Sequence, residues 1–109
     1  MTKNEKLYIV TRSDLCAGLK IAQCCHALRE FSEKYRDIDS TWFKESNYLV
    51  VLEVKDEDSL KSQINSAELA DLKFAAFYEP DLDNQITAVA FEPCDKSRNL
   101  FRRLPLAGK

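Results

Sequence analysis

Apolar residues in the first half of the chain predict two strands separated by a long helix. Residues 7–12 are mostly β-branched and aromatic, which is typical of a buried strand. Residues 19–36 contain few helix breakers and carry apolar side chains at spacings of three and four, so they predict a helix. Residues 48–54 form a nearly continuous apolar run, which predicts a central strand. Between them, residues 37–46 are interpreted as a connection with a helical turn around Trp42.

The spacing along the long helix predicts which of its sides faces the core. The apolar stripe that we expect to pack inward consists of Ile21, Cys24, Cys25, Leu28, Phe31 and Tyr35. The opposite face carries the polar residues Lys20, Gln23, His26, Arg29, Glu30, Glu33 and Lys34.

The second half of the chain predicts two more helices and two more strands. Residues 56–69 begin with an acidic turn and read as a helix, and residues 74–78 read as a short strand. A polar loop, residues 79–84, leads to residues 85–91, which alternate like a fourth strand. Asp95 is the expected N-cap of a basic last helix that reaches residue 104 and stops at Pro105.

This order of elements, β-α-β-α-β-β-α, predicts an α/β fold with a four-stranded mixed sheet flanked by helices. Strands joined through helices should run parallel, and the short loop before the last strand predicts an antiparallel final pair. A length of 109 residues suits a single domain that spans residues 1–109.

Composition narrows the classes of function. A polar start and the lack of an apolar run of roughly 18 residues favour a cytoplasmic protein that neither spans a membrane nor is exported. The net charge of −2 argues against a general nucleic-acid coat protein, so any RNA contact must use a local patch. Such a patch is formed by the basic residues of the last helix, Lys96, Arg98, Arg102 and Arg103, which could equally complement the helix dipole.

The four cysteines predict neither disulfides nor a metal site. Cys24 and Cys25 are adjacent, and Cys16 lies close by, which suits no common bridged scaffold. Neighbouring helical residues diverge by about 100°, so zinc geometry is poor as well. We expect reduced, mostly buried thiols and no bound metal.

Two segments carry candidate chemistry. The turn from the first strand into the first helix contains Gly18 and Lys20 next to free helix N–H groups, which suits an anion; alternatively, the glycine only shapes the turn and the lysine is solvated. The acidic loop with Glu79, Asp81 and Asp83 could supply a general base or be an ordinary solvated turn.

The start of the chain resembles the type 2 peptidyl-tRNA hydrolases. Residues 7–15, Leu-Tyr-Ile-Val-Thr-Arg-Ser-Asp-Leu, are followed by Gly18, Lys20-Ile-Ala and Gln23-Cys-Cys-His-Ala. The family has a strand, R-x-D-L, a glycine-rich turn and K-[IV]-A-A-Q-x-x-H-A. Residues 48–58 and 77–93 also match in order, so the resemblance covers nearly the whole chain.

Two departures from the family pattern indicate a divergent bacterial member. Lys20 lies three residues before Gln23 instead of four, which puts Leu19 at the lysine position, although both positions neighbour Gln23 on a helix surface. The family loop D-A-G-x-T-Q is replaced by residues 79–85, in which Glu79 best matches the family aspartate.

The resemblance implies hydrolysis of the ester of peptidyl-tRNA, or of a related aminoacyl-tRNA, with release of free tRNA and no metal or other cofactor. Glu79 or Asp81 would orient the attacking water, and Lys20 with helix N–H groups would stabilise the oxyanion or a phosphate. The residues expected to bind the substrate are Gly18, Gln23, His26, Arg12, Arg102 and Arg103.

Other functions remain open on the same fold. One is a non-catalytic module that binds tRNA or another anion, and another is a hydrolase of small esters. A homodimer is also left open, with Trp42 and Phe43 as the apolar candidates for an interface. For the hydrolase, Lys20, Gln23 and Glu79 should converge at one end of the sheet, because the helix start and the exit of the third strand both lie there.

Overall fold

Four strands form one mixed sheet in the computed structural model, which describes residues 5–109. They are β1 (Lys6–Arg12), β2 (Tyr48–Val54), β3 (Phe74–Glu79) and β4 (Gln85–Phe91), in the spatial order β2-β1-β4-β3. β1 is parallel to β2, whereas β4 runs antiparallel to both of its neighbours. The predicted mixed sheet and the antiparallel final pair are confirmed.

Four α-helices and one 3₁₀ turn complete the described chain. The helices are α1 (Ala17–Lys34), α2 (Arg36–Glu45), α3 (Glu57–Leu69) and α4 (Asp95–Phe101), and the 3₁₀ turn is Pro80–Leu82. α2 is an addition to the predicted order, because its ten residues were expected to form a connection with only a helical turn around Trp42. Trp42 stabilises this helix: it is 5% exposed, and its indole N–H donates to the carbonyl of Tyr48 at 2.9 Å. Trp42 is therefore a core residue, whereas Phe43 is exposed as expected.

The helices cover both faces of the sheet. On one side, the α1 face, strand residues such as Leu7, Ile9 and Ala88 pack against Phe31 of α1 and Trp42 of α2. On the other side, the α3 face, the buried residues include Val10, Val89, Leu60, Phe91 and Phe101. Along β1 the side chains alternate between these two cores, as the period of a strand requires.

β2 lies at the edge of the sheet, so the prediction of a central strand is wrong. Its outer edge is nevertheless partly covered by residues 105–107, which we call the C-terminal segment. The Glu53 N–H donates to the Pro105 carbonyl at 3.1 Å, and the Ala107 N–H donates to the Val51 carbonyl at 2.9 Å. This extra pairing explains how an edge strand can be so rich in apolar residues.

α1 is rotated relative to the predicted stripe. Its buried residues are Gln23, Cys24, Ala27 and Phe31, whereas Ile21 is 67% exposed and Cys25 is also exposed. Both stripes have helical spacing and share Cys24 and Phe31, so periodicity alone could not separate them. Burial of Gln23 is the deciding difference, because its amide finds polar partners beneath the helix.

Several local expectations also need correction. α1 begins at Ala17, so Gly18 lies inside the helix, and the N-cap of α4 is Cys94 instead of Asp95. The thiols are all unpaired, but only Cys24 is buried; Cys16 and Cys25 are exposed and Cys94 is half-buried. None of the helices within residues 5–109 combines the length and the apolar character needed to cross a bilayer.

Candidate active site

Polar side chains meet at the edge of the sheet where β1 and β3 end and β4 begins. Thr11 precedes the last residue of β1, Glu79 ends β3, and Thr87 lies near the start of β4. α1 starts at the same edge, because it follows β1 after a short turn. In open α/β sheets this is the usual place for a ligand.

A chain of hydrogen bonds joins these elements through Gln23, which is 1% exposed. Its Nε2 donates to Glu79 Oε1 at 2.8 Å, and its Oε1 accepts from Thr87 Oγ1 at 2.6 Å. The hydroxyl of Thr11 in turn donates to the Thr87 carbonyl at 2.9 Å. α1, β3, β4 and β1 are thereby tied together at one point, which we call the Gln23 network.

The direction of each proton in the Gln23 network follows from the chemistry of Glu79. An ionised carboxylate can only accept hydrogen bonds, so the NH₂ end of Gln23 must face Glu79. The amide oxygen then faces Thr87, whose hydroxyl has to donate. The Glu79 carboxylate, as an acceptor, thus sets the orientation of the buried Gln23 amide and of the buried Thr87 hydroxyl.

A break in the β3–β4 ladder turns Thr87 toward Gln23. Phe77 pairs with Ala88, but the next residue, Tyr78, pairs with Ile86, which leaves Thr87 without a partner on β3. An extra residue of this kind is a β-bulge, and a bulge re-aims the side chains next to it. The side chain of Thr87 therefore reaches α1 instead of continuing the regular alternation.

The loop after β3 supports the other oxygen of Glu79. The backbone N–H of Asp81 donates to Glu79 Oε2 at 3.2 Å, and the N–H of Asn84 donates to the Glu79 carbonyl at 2.9 Å. Asp83 and Asn84 both adopt left-handed backbone conformations, with φ of 54° and 59°, which these residue types tolerate well. Asp81 thus contacts Glu79 through its backbone, and its exposed carboxylate faces solvent. Each Glu79 oxygen keeps accepting capacity for a water.

Lys20 forms an ion pair on the β2 side of α1. Its Nζ lies 3.1 Å from Glu53 Oε2, and the two side chains are only 18% and 13% exposed. Lys20 borders an apolar cleft of about 320 Å³ that is also lined by Cys24, Val51 and Ala107. Lys20 and Gln23 thus leave α1 toward different strands, and the ion-pair partner of Lys20 is Glu53 instead of Glu79.

The first turn of α1 presents uncapped backbone N–H groups. Cys16 occupies the N-cap position, and its side chain makes no capping hydrogen bond. A Cβ added at Gly18 would meet no atom within 4 Å, so the space beside this turn is open. Unpaired N–H groups with open space next to them can accept an anion.

Arg12 faces away from the Gln23 network, toward the α3 face. Its guanidinium donates to both carboxylate oxygens of Asp14, at 3.0 and 2.9 Å, and to Gln85 Oε1 at 2.8 Å. These hydrogen bonds hold the pKa of Asp14 below its usual range. Arg102 and Arg103 are exposed after α4, which also packs on the α3 face. The structure does not bring these three arginines to the network.

His26 lies on α1 close to the network. Its exposed ring stacks on that of Phe77 with centroids 4.4 Å apart and an interplanar angle of 13°. Within residues 5–109, no group of three or more His, Cys, Asp and Glu side chains is arranged to hold a metal ion.

Sequence reasoning missed Thr11, Thr87 and Glu53. All three lie inside predicted strands, where a polar residue usually reads as a solvent-facing position. Thr11 and Thr87 are in fact fully buried, each at 0% exposure. The available signal was a threonine among apolar residues, near the end of β1 and near the start of β4.

Comparisons with known proteins agree with this architecture. The family model described as peptidyl-tRNA hydrolase PTH2 matches residues 5–105. A solved structure of a protein of unknown function from Agrobacterium tumefaciens strain C58, Atu0240, superposes with a TM-score of 0.69 at 12% identity, and it covers 96% of this chain and 98% of its own. At that identity the likeness shows the fold alone. No curated protein sequence matches the chain.

Proposed function

The chain belongs to the peptidyl-tRNA hydrolase PTH2 family, and from this premise we propose that it hydrolyses the ester between a peptide and the terminal ribose of tRNA, releasing free tRNA. The observation that supports the proposal best is the contact of buried Gln23 with Glu79, at 2.8 Å, at the ligand-binding edge of the sheet.

Glu79 is the proposed general base. Gln23 and the Asp81 N–H hold its two oxygens in place, so the carboxylate can orient a water without reorganising. The water oxygen attacks the ester carbonyl carbon while its proton passes to Glu79. When the tetrahedral intermediate collapses, the ribose oxygen leaves and takes this proton. Asp81, the other acidic candidate, serves by shaping the loop.

The start of α1 is proposed to stabilise negative charge. The oxyanion, or the phosphate next to the terminal ribose, would meet the open N–H groups near Gly18 and the ammonium of Lys20. The Glu53 carboxylate keeps Lys20 in one position, and it also lowers the net charge that Lys20 offers. Lys20 therefore acts best as one of several donors.

The tRNA body would be held by charge. Arg102 and Arg103 are exposed cations that suit phosphate contacts, whereas Arg12 is engaged inside the protein and supports the strand ends. A tRNA substrate also favours a cytoplasmic location.

The first test measures turnover of peptidyl-tRNA, aminoacyl-tRNA and a simple ester by the purified protein. We expect release of tRNA from the first, and Glu79→Gln should lower kcat by about 10²–10³ because an oriented base is lost. Lys20→Ala should lower kcat less, since backbone N–H groups share its task. Asp83→Asn is the matched control, because it removes an equal charge from the same loop and should be nearly neutral.

Two results would contradict the proposal at different levels. A normal rate in Glu79→Gln with an unchanged fold would overturn Glu79 as the base. A wild-type protein that turns over none of the three substrates would overturn the enzyme assignment; salt-dependent tRNA binding in that case would establish the non-catalytic binding module instead.

A further inference from the structure

The stacked rings of His26 and Phe77 lie beside the Gln23 network, and we infer that this pair, the His26–Phe77 platform, stacks the base of the terminal nucleotide of tRNA. The inference rests on the proposed function, because it concerns the same substrate. It assigns to an exposed histidine the task of positioning the nucleotide whose ester is cleaved.

The platform is attached to the same two elements as the proposed base. His26 follows Gln23 by one helical turn on α1, and Phe77 precedes Glu79 by two residues on the same face of β3. One turn of helix advances about 5 Å, and two strand residues advance roughly 7 Å. The rings therefore lie within about one nucleotide of the Glu79 carboxylate.

The chemistry of the substrate requires a base at this distance. The ester to be cleaved and the terminal base are attached to the same ribose, so a protein that places the ester at Glu79 also places the base close by. Single-stranded RNA ends expose their bases, and proteins hold such bases by stacking them on aromatic or histidine rings. Terminal adenine, which ends every tRNA, offers a large π-face.

The arrangement of the rings fits such a task. The near-parallel stack, with an interplanar angle of 13°, uses one face of the imidazole ring of His26. Because His26 is exposed to solvent, the other face of the ring can take a base. Phe77 is half-buried among core residues of the α1 face, so it fixes the plane of the ring above it. The exposed aromatic residue of β3, Tyr78, precedes Glu79 directly and so points to the opposite face of the strand.

The first test measures binding without catalysis. We expect the RNA trinucleotide CCA to perturb the NMR signals of the His26 and Phe77 rings, and His26→Ala to weaken its binding about tenfold. A trinucleotide whose terminal base is absent should bind wild type and His26→Ala equally, which completes a double-mutant cycle. His26→Phe should retain the affinity, and Phe43→Ala, which removes an exposed ring from α2, is the matched control.

The second test measures turnover. Since stacking holds ground state and transition state alike, His26→Ala should raise KM about tenfold and leave kcat nearly unchanged. The platform would be overturned if wild type and His26→Ala bind CCA equally, even if hydrolysis occurs. It would also be overturned if His26→Ala weakens binding of the abasic trinucleotide as much as it weakens binding of CCA. Base-dependent binding through His26 in a protein without hydrolysis would uphold the platform while the proposed function fails.

Discussion

At the scale of single residues, the site depends on polar groups that are buried together. Within residues 5–109 no buried side-chain nitrogen or oxygen lacks a hydrogen-bond partner. Gln23 illustrates why this matters, because its amide is satisfied by residues 56 and 64 positions away in the chain. A helical pattern gives no information about partners so distant, so the sequence predicted Gln23 on the polar face. Glu79 could be predicted, since it follows a recognisable strand and begins a polar loop.

We expect Thr87→Val to destabilise the protein more than Thr87→Ser does. Valine keeps the volume but removes the hydroxyl, which leaves the buried amide oxygen of Gln23 without a donor. Such a group costs about 1–3 kcal/mol, whereas serine retains the donor. Urea denaturation of the three proteins measures the difference. Equal midpoints for the valine and serine variants would mean that the hydroxyl donates nothing to Gln23.

At the scale of elements, the strands could be predicted more reliably than their neighbours. The bounds of β2 and β4 match the apolar and alternating runs in the sequence. The position of β2 at the edge of the sheet could not be predicted from its residues. Its outer edge is covered by residues 105–107, so the strand is as apolar as a central strand would be. Only a helical turn around Trp42 was predicted where α2 forms, for a related reason: burial of Trp42 in the core, a tertiary effect, stabilises the longer helix.

The C-terminal segment offers a test of this coverage. Ala107→Pro removes the N–H that donates to the Val51 carbonyl at 2.9 Å, and it should weaken the docking of the whole segment. The Glu53 amide, which donates to Pro105, should then exchange its hydrogen about five times faster or more. Ala107→Ser keeps the N–H and is the control. Unchanged exchange at Glu53 in the proline variant would show that the segment is held by other contacts.

At the scale of the whole molecule, the candidate site and the aromatic packing of the core lie on different faces of the sheet. The α1 face carries the Gln23 network and the His26–Phe77 platform, whereas the α3 face is closed by aromatic packing. There Phe91 and Phe101 have ring centroids 4.4 Å apart, and both are almost completely buried. Stability and the proposed chemistry should therefore respond to different sets of substitutions.

Phe101→Ala tests this division. Loss of a fully buried ring from the α3 face should reduce the free energy of unfolding by about 3–5 kcal/mol. Because the Gln23 network lies on the other face, CCA binding at a temperature where the variant is folded should stay within about twofold of wild type. Phe43→Ala serves as the control, since its ring is exposed and should cost little. A large loss of binding by the folded Phe101 variant would show that the two faces are coupled.

The unpaired position of Thr87 makes the number of residues in β4 part of the site. Ile86 belongs to the core on the α3 face and Ala88 to the core on the α1 face, so Thr87 is an extra residue between them. Deletion of Thr87 would bring Ile86 next to Ala88 and let the β3–β4 ladder run without a break, with Ile86 still facing α3. The sheet would become more regular, but the hydroxyl that donates to the amide oxygen of Gln23 would be gone. A change of amino acid at this position can keep a donor, whereas a single-codon gap cannot, so drift in identity should be tolerated better than a change in length.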